Sequence, residues 1–557
     1  MRARRPVAAV AVALALAPGL QAAPAPAPAD TPTQSPFGEQ IDVRVVNVEV
    51  VVTDSDGNRV AGLSPADFAL RVDGKPVTVE YFSEVREGRV QAASPPSTPA
   101  PDDIAAVRPI SAAASGTNYL VFVDDYFSIS PQRDLVLQAM RRDLDALGAG
   151  DRMAVVAFDG GRLTPIAGWT SSKTDLALAL EKARERPTHG FNRAVERRSF
   201  ANDQTLRSET VGDDTPLDLL QRTGDLTGPQ SAYGRELLAQ IEATVDAASA
   251  AMRAFGDAPG RKVLLLLAGG WPYSVRTAVR GGTGMPHKDL PEGDRVLRPL
   301  ADTANLLGFT IYPVDVPGPQ YSGPDAESTA PTDAASVMFA EQQTEDTLLY
   351  LAAATGGRPL LDGKRTAALT SANEDTRSFY WLGFVPSWKG DDRPHRLDVE
   401  LRPGLRARAR SGFLDLSRQA ETTMRLESAL LLGSFPGAVA MPIQIGEPRK
   451  GRHGRFEVPV TLGLPVDVMT VVPVDNKFAA RLELRFAASD RRGGTSTADA
   501  IPVFPLELLS EAAPKAGGFV RHQMMIQLKG RADHLVVAVY DPLSDRVATA
   551  EADLAMP

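Results

Sequence analysis

The chain has 557 residues, 43% of them hydrophobic and 23% charged, with a formal net charge of −9. That length implies several domains, the balance is that of a folded chain, and the sign of the charge argues against nucleic acid or an anionic membrane surface as the main partner. There is no cysteine, which excludes disulfides, thiol catalysis, thiolate metal sites and a lipidated-cysteine anchor.

Residues 1–22 read as a secretory signal. Arg2, Arg4 and Arg5 precede the apolar stretch Val7–Leu16, and Leu20-Gln21-Ala22 offers a cleavage point. The apolar run falls short of the roughly 20 residues a spanning helix needs. No other stretch is long and apolar enough, so the mature chain is expected to have no membrane span and to be secreted or periplasmic. An uncleaved N-terminal anchor is the rival reading. Residues 23–38 are a Pro/Ala-rich linker.

Residues 39–88 carry short β-strands, with Val43, Val45, Val48, Val50 and Val52 alternating among polar residues and turns at Asp54–Asn58 and Asp73-Gly74. Asp54–Asn58 is not a calcium loop, because Arg59 and Pro65 stand where an EF-hand needs Gly and Glu. Residues 89–116 are a Pro-rich linker.

Residues 117–377 alternate strands and helices. The stretch Tyr119–Val123 is apolar without alternation and closes on Asp124-Asp125, as a buried parallel strand would. Strands are expected at Met153–Phe158, Leu163–Ile166, Lys262–Leu267, Phe309–Val314 and Arg358–Leu361, with helices between them. Residues 186–230 are polar and aperiodic, and read as a long inserted or mobile loop. The pattern implies an α/β doubly wound, mostly parallel sheet. In such sheets ligands bind at the carboxyl ends of central strands.

Residues 378–414 return to strands. Neither this set nor the strands of 39–88 can bury a core alone, so the two are expected to pair in one β-sandwich with the α/β unit inserted between them. Residues 415–434 should form a linking helix. Residues 435–557 should form a second, immunoglobulin-like sandwich. The run Arg406-Ala-Arg408-Ala-Arg410 is expected to be a solvated strand face.

Catalytic templates are absent from the sequence. His189, His287, His395, His453, His522 and His534 stand singly, without ligand spacing, and are expected in loops or on strand faces.

A set of phrases in fixed order carries a resemblance. They are Val60-Ala-Gly-Leu63-Ser-Pro-Ala-Asp67-Phe68, Val72-Asp73-Gly74-Lys75, Val123-Asp124-Asp125, Gly260-Arg261-Lys262, Ala268-Gly269-Gly270-Trp271, Ile311-Tyr312-Pro313-Val314-Asp315, Thr355-Gly356-Gly357 and Tyr380-Trp-Leu382-Gly-Phe384. Over about two thirds of its length the chain resembles the VWFA-related Acidobacterial domain family, whose central part is a von Willebrand factor A-type domain. The resemblance implies a protein-binding role through a metal-ion-dependent adhesion site. Asp124 and Ser128 match the ends of its D-x-S-x-S loop, with Tyr126 in place of the middle serine. Asp125 is a further metal candidate, and Thr223 or Thr227 could supply the threonine. The aspartate expected after Leu267 is missing, which makes the site degenerate. Mg²⁺ is the cofactor the resemblance implies, and no other is expected.

The leading expectation is an exported, non-catalytic adhesion or scaffold protein that binds protein partners in the envelope or outside the cell. Tyr126, Asp159, Trp271 and Tyr273 would form the contact surface. The alternatives are an envelope metal-assisted hydrolase using Asp124, Asp125 and Asp159, and a scaffold whose A-type domain is purely structural.

Overall fold

The computed structural model describes residues 45–91, 116–193, 229–278, 290–316, 334–426 and 439–555, apart from isolated positions and short stretches inside these spans. The signal (1–22), the first linker (23–38), nearly all of the second (89–116), the bulk of the insertion with Thr223 and Thr227, much of the 415–434 segment, His287 and His453 lie outside the described residues.

Five short strands open the described chain: β1 (Val46–Thr53), β2 (Phe68–Val72), β3 (Lys75–Val77), β4 (Tyr81–Arg86) and β5 (Arg89–Val90). The wound sheet follows, with β6 (Thr117–Asp124), β7 (Arg152–Phe158), β8 (Leu163–Thr170), β9 (Arg261–Ala268) and β10 (Phe309–Asp315). Its order is β10-β9-β6-β7-β8. Every neighbouring pair is parallel except β7 with β8. Leu360 adds a parallel bridge to Val314 at the β10 edge.

Every residue of β6 is buried, because both faces of the sheet are covered. Leu120 and Phe122 pack against the helices Pro229–Ala254 and Gly293–Leu307. Tyr119, Val121 and Val123 face the opposite way, onto α1 (Ser130–Arg142) and α2 (Lys173–Arg184). Each such side chain contributes about 1.5–3 kcal/mol on burial. That two-sided burial explains the unbroken apolar run, since alternation would leave a polar face against a helix.

After the wound sheet come β11 (Phe379–Phe384), β12 (Pro394–Leu401), β13 (Arg406–Arg408) and β14 (Gly412–Leu414). They pair back with the first strands. β11 lies between β1 and β4, with Val48 opposite Leu382 and Phe82 opposite the same residue. β12 lies between β2 and β14. The two resulting sheets enclose a core of Val48, Val50, Leu70, Phe82, Leu382 and Phe384.

This small sandwich meets the wound sheet at the amino ends of its strands. Asp375 accepts from Arg408, Arg59 and the Tyr312 hydroxyl, the last at 2.6 Å. Burial pushes the Asp375 carboxyl up, but Arg408, Tyr312 and Arg59 together outweigh it and hold it at about 2. Arg410 donates to the carbonyls of Asn305 and Asn47 at 2.7 and 2.6 Å. The Arg406–Arg410 run is therefore not a solvated face: Arg408 and Arg410 fasten one domain to the other.

The C-terminal region contains β15 (Val439–Ala440), β16 (Ile443–Ile445), β17 (Arg449–Lys450), β18 (Phe456–Pro465), β19 (Val472–Val474), β20 (Lys477–Asp490), β21 (Gly494–Thr495), β22 (Val503–Ser510), β23 (Phe519–Leu528), β24 (His534–Asp541) and β25 (Arg546–Asp553). They form two sheets, one built on β20, β24 and β25 and the other on β18. Val458, Val460, Leu462, Leu484, Val537 and Val539 fill the space between them. The molecule is thus a multidomain α/β protein with a Rossmann-like sheet and sandwiches. Among the described residues, no helix is long and apolar enough to cross a membrane.

Candidate functional site

Asp124 ends β6 at the carboxyl edge of the sheet, and the chain must turn there to enter α1. Asp124 Oδ1 accepts from the amides of Tyr126 and Phe127 at 3.0 and 3.1 Å, which shapes that turn. Its Oδ2 accepts from the Trp271 indole Nε1–H at 2.9 Å. The cap of α1 is Ile129, with no side-chain bond, so Asp124 satisfies loop amides without capping the helix. Pro131 sits in the first turn of α1, where no amide donor is needed. Burial pushes the Asp124 carboxyl up to about 7, against the pull of the Trp271 indole and the Phe127 and Tyr126 amides.

Asp125 meets two guanidinium groups. Its Oδ1 accepts from Arg133 Nη1 and its Oδ2 from Arg186 Nε, each at 2.6 Å. Burial raises the Asp125 carboxyl, and the Arg186 and Arg133 contacts oppose it. Both aspartates are 0% exposed.

Residues 186–193 close over this tip. The amide of His189 donates to the Asp125 carbonyl at 2.8 Å, and that of Gly190 to the Ser128 carbonyl at 3.0 Å. The backbone comes so close that a Cβ at Gly190 would collide with the Phe127 and Ser128 carbonyls. Thr188 and Ser130 hydroxyls lie 2.8 Å apart. Arg193 donates to the Tyr126 hydroxyl at 2.9 Å and lies over its ring. This opening part of the insertion is tied down along its length, contrary to the mobile loop expected from its polar, aperiodic sequence.

The residues proposed for a metal do not fit one. All four carboxylate oxygens of Asp124 and Asp125 already face protein donors, and Arg133 and Arg186 supply the positive charge a cation would bring. Where the strand-end aspartate is missing, Trp271 provides an N–H, a donor with no lone pair for a metal. Ser128 Oγ is buried without a hydrogen-bond partner among the described residues, but a lone hydroxyl is a poor Mg²⁺ site.

The expected contact surface is also divided. Trp271 is 1% exposed, because its ring fills the space beside Phe127 with centroids 6.1 Å apart. It is a core residue and cannot meet a partner. Tyr126, Asp159 and Tyr273 are half-buried. Asp159 Oδ1 accepts from the amides of Gly161 and Arg162, and the Tyr273 amide donates to Gln343. Neither buried carboxylate has an exposed oxygen to offer the substrate of a hydrolase.

A second acidic cluster lies at the amino end of β12. Asp391, His395 and Asp415 each place a ligand atom within 4.8 Å of the others, a set that could hold a divalent ion. His395 Nδ1 is 2.7 Å from Asp73 Oδ2, and that hydrogen bond raises the His395 pKa. The sequence places His395 in a loop or on a strand face without ligand spacing, and it lies on β12; Asp415 comes beside it only through the antiparallel register of β12 with β14. The one signal in the sequence was the turn Asp391-Asp392-Arg393-Pro394 placed directly before it.

No protein-family model matches the chain, and comparison with curated proteins finds no match.

Proposed function

We propose that this chain is an exported, non-catalytic interaction protein. Its wound sheet is a von Willebrand factor A-like core whose degenerate adhesion site is closed. Its partner contact is the free edge of β23, which takes an extended segment of a partner protein as an added strand. The leader at residues 1–22 and the order of family-like phrases support export and the A-type reading. The filled oxygens of Asp124 and Asp125 favour a structural wound sheet over an adhesive one.

The observation that carries the partner surface is β23 itself. All ten residues pair with β18 on one side, from Phe456 opposite Leu528 to Pro465 opposite Phe519. The other side has no strand partner among the described residues. The strand contains no proline, and Arg521 is its one formal charge. Phe519 and Met525 are 57% and 54% exposed, while the inward-facing Val520 and Met524 are only partly covered. A long, weakly charged edge with unpaired backbone groups is a template for strand addition. Pro505 in β22, which pairs with β20 in the other sheet, removes one backbone donor there, which leaves β23 the better template.

The test is capture of envelope proteins by the full chain, with the recovered set quantified by mass spectrometry. Met525→Lys combined with Gln523→Pro should abolish recovery, whereas Tyr126→Ala at the tip should leave it unchanged. The opposite pattern overturns the assignment.

A further inference from the structure

We propose that Asp391, His395 and Asp415 bind a first-row divalent cation, Zn²⁺ by preference, with Asp73 orienting the histidine from behind. The proposal is independent of the β23 edge.

Three observations converge. The first is the histidine. A carboxylate can only accept, so the 2.7 Å contact of His395 Nδ1 with Asp73 Oδ2 puts the ring proton on Nδ1. In the neutral ring Nε2 then carries the lone pair, and a metal would take the place of any proton there. It lies 3.5 Å from Asp391 Oδ1. Two ligands held about 2.0–2.1 Å from a tetrahedral zinc are separated by about 3.3 Å, so a small inward shift completes that pair. A histidine whose second nitrogen is held by a carboxylate is the arrangement that fixes metal-binding imidazoles. The ring is also held flat against Phe413, with centroids 5.3 Å apart.

The second is Asp415. It is 3% exposed. Its Oδ2 accepts from the Lys389 amide at 2.6 Å, but its Oδ1 is buried with no hydrogen-bond partner among the described residues. A buried carboxylate oxygen without a donor is costly unless a proton or a cation meets it. Among the described residues no basic side chain forms an ion pair with Asp415: His395 is engaged by Asp73, and Arg396 pairs with Asp398.

The third is the backbone that presents them. The Asp392 amide donates to the Asp415 carbonyl at 2.9 Å, and the Asp415 amide to the Arg393 carbonyl at 3.2 Å. Asp392 adopts a left-handed φ of 56° and accepts from Ser417 through both carboxylate oxygens. The turn is therefore held against Asp415 before any ion arrives. Asp391 is the exposed member, so the cation would enter from that side and keep water in its remaining position. One imidazole and two carboxylates suit zinc better than magnesium or calcium, which take oxygen ligands alone. The bound ion would tie the 389–393 turn to β12 and to the end of β14.

Isothermal calorimetry of the full chain with ZnCl₂ tests the assignment. We expect one saturable site. His395→Gln and Asp391→Asn should each weaken it at least about 30-fold, and Asp73→Asn about 10-fold, the scale for loss of a group behind a metal-bound histidine. Asp398→Asn, on the same strand and outside the cluster, should change nothing. Asp391 is exposed, so Asp391→Asn should fold normally even if Asp415→Asn does not. Absence of a saturable site, or a site that Asp391→Asn and His395→Gln leave intact, overturns the proposal.

Discussion

At the carboxyl end of β6, the four oxygens of Asp124 and Asp125 face five protein donors: two amides, an indole and two guanidinium groups. At the amino end of β12, Asp415 Oδ1 is also buried and faces none among the described residues. The first cluster sits where the fold predicts a ligand and has been filled by the chain's own side chains. The second sits on a small sandwich, where fold alone points to nothing, and has an oxygen left over. Position within a fold marks where a site can be. Only the inventory of donors and acceptors decides whether one remains.

The sharpest way to break this contrast is to empty the filled cluster. Arg133→Ala leaves Asp125 buried with a single partner, which should cost about 3–5 kcal/mol, read from urea unfolding. If the cost is under about 1 kcal/mol, the Arg133–Asp125 pair is not what holds the tip.

Acidity offers a second probe of similar size. The Asp124 carboxyl lies at about 7 in the folded chain, above its ordinary value. The folded state therefore holds the proton more tightly, so this group's contribution is present at low pH. It is lost as pH rises from about 4 through about 7, on the order of 3–4 kcal/mol. The difference in unfolding free energy between the wild type and Asp124→Asn should follow that window. A flat difference between pH 4 and 8 would mean that the donors, not burial, set its state.

Trp271→Phe removes the indole donor together with part of a fully buried ring. Leaving Asp124 Oδ2 unpaired should cost about 1–3 kcal/mol, and the lost packing adds to it. The smallest effect belongs to the second cluster. Asp391→Asn should change stability by under about 1 kcal/mol without metal, because that side chain is exposed, yet it should remove most of the stabilisation that added Zn²⁺ confers in a thermal melt.

Parts of this were written in the sequence. Tyr119–Val123 announced a doubly covered strand because no polar residue interrupts it, and the structure buries it on both faces. The pairing of β1 and β4 with β11 followed from counting, since neither set of strands could bury Val48 or Leu382 alone. The tip's chemistry was not legible. Its decisive partners stand 8, 61 and 147 residues from the carboxylates they meet, as Arg133, Arg186 and Trp271. Nothing local says that an indole will face Asp124, or that two arginines will take both oxygens of Asp125. The role of Arg408 and Arg410 is hidden for the same reason: alternation marks a strand face, but Asp375 and Asn305, which turn that face into a junction, lie in other elements.

The most direct test of the closed tip is ¹⁹F NMR of the chain labelled with fluorotryptophan, titrated with Mg²⁺. Trp271→Phe assigns one of the four tryptophan signals. Because the indole already occupies Asp124 Oδ2, the Trp271 signal should stay fixed at every Mg²⁺ concentration. A saturable shift of that signal, absent from Asp124→Asn, would show that a cation reaches the end of β6 and would contradict the account.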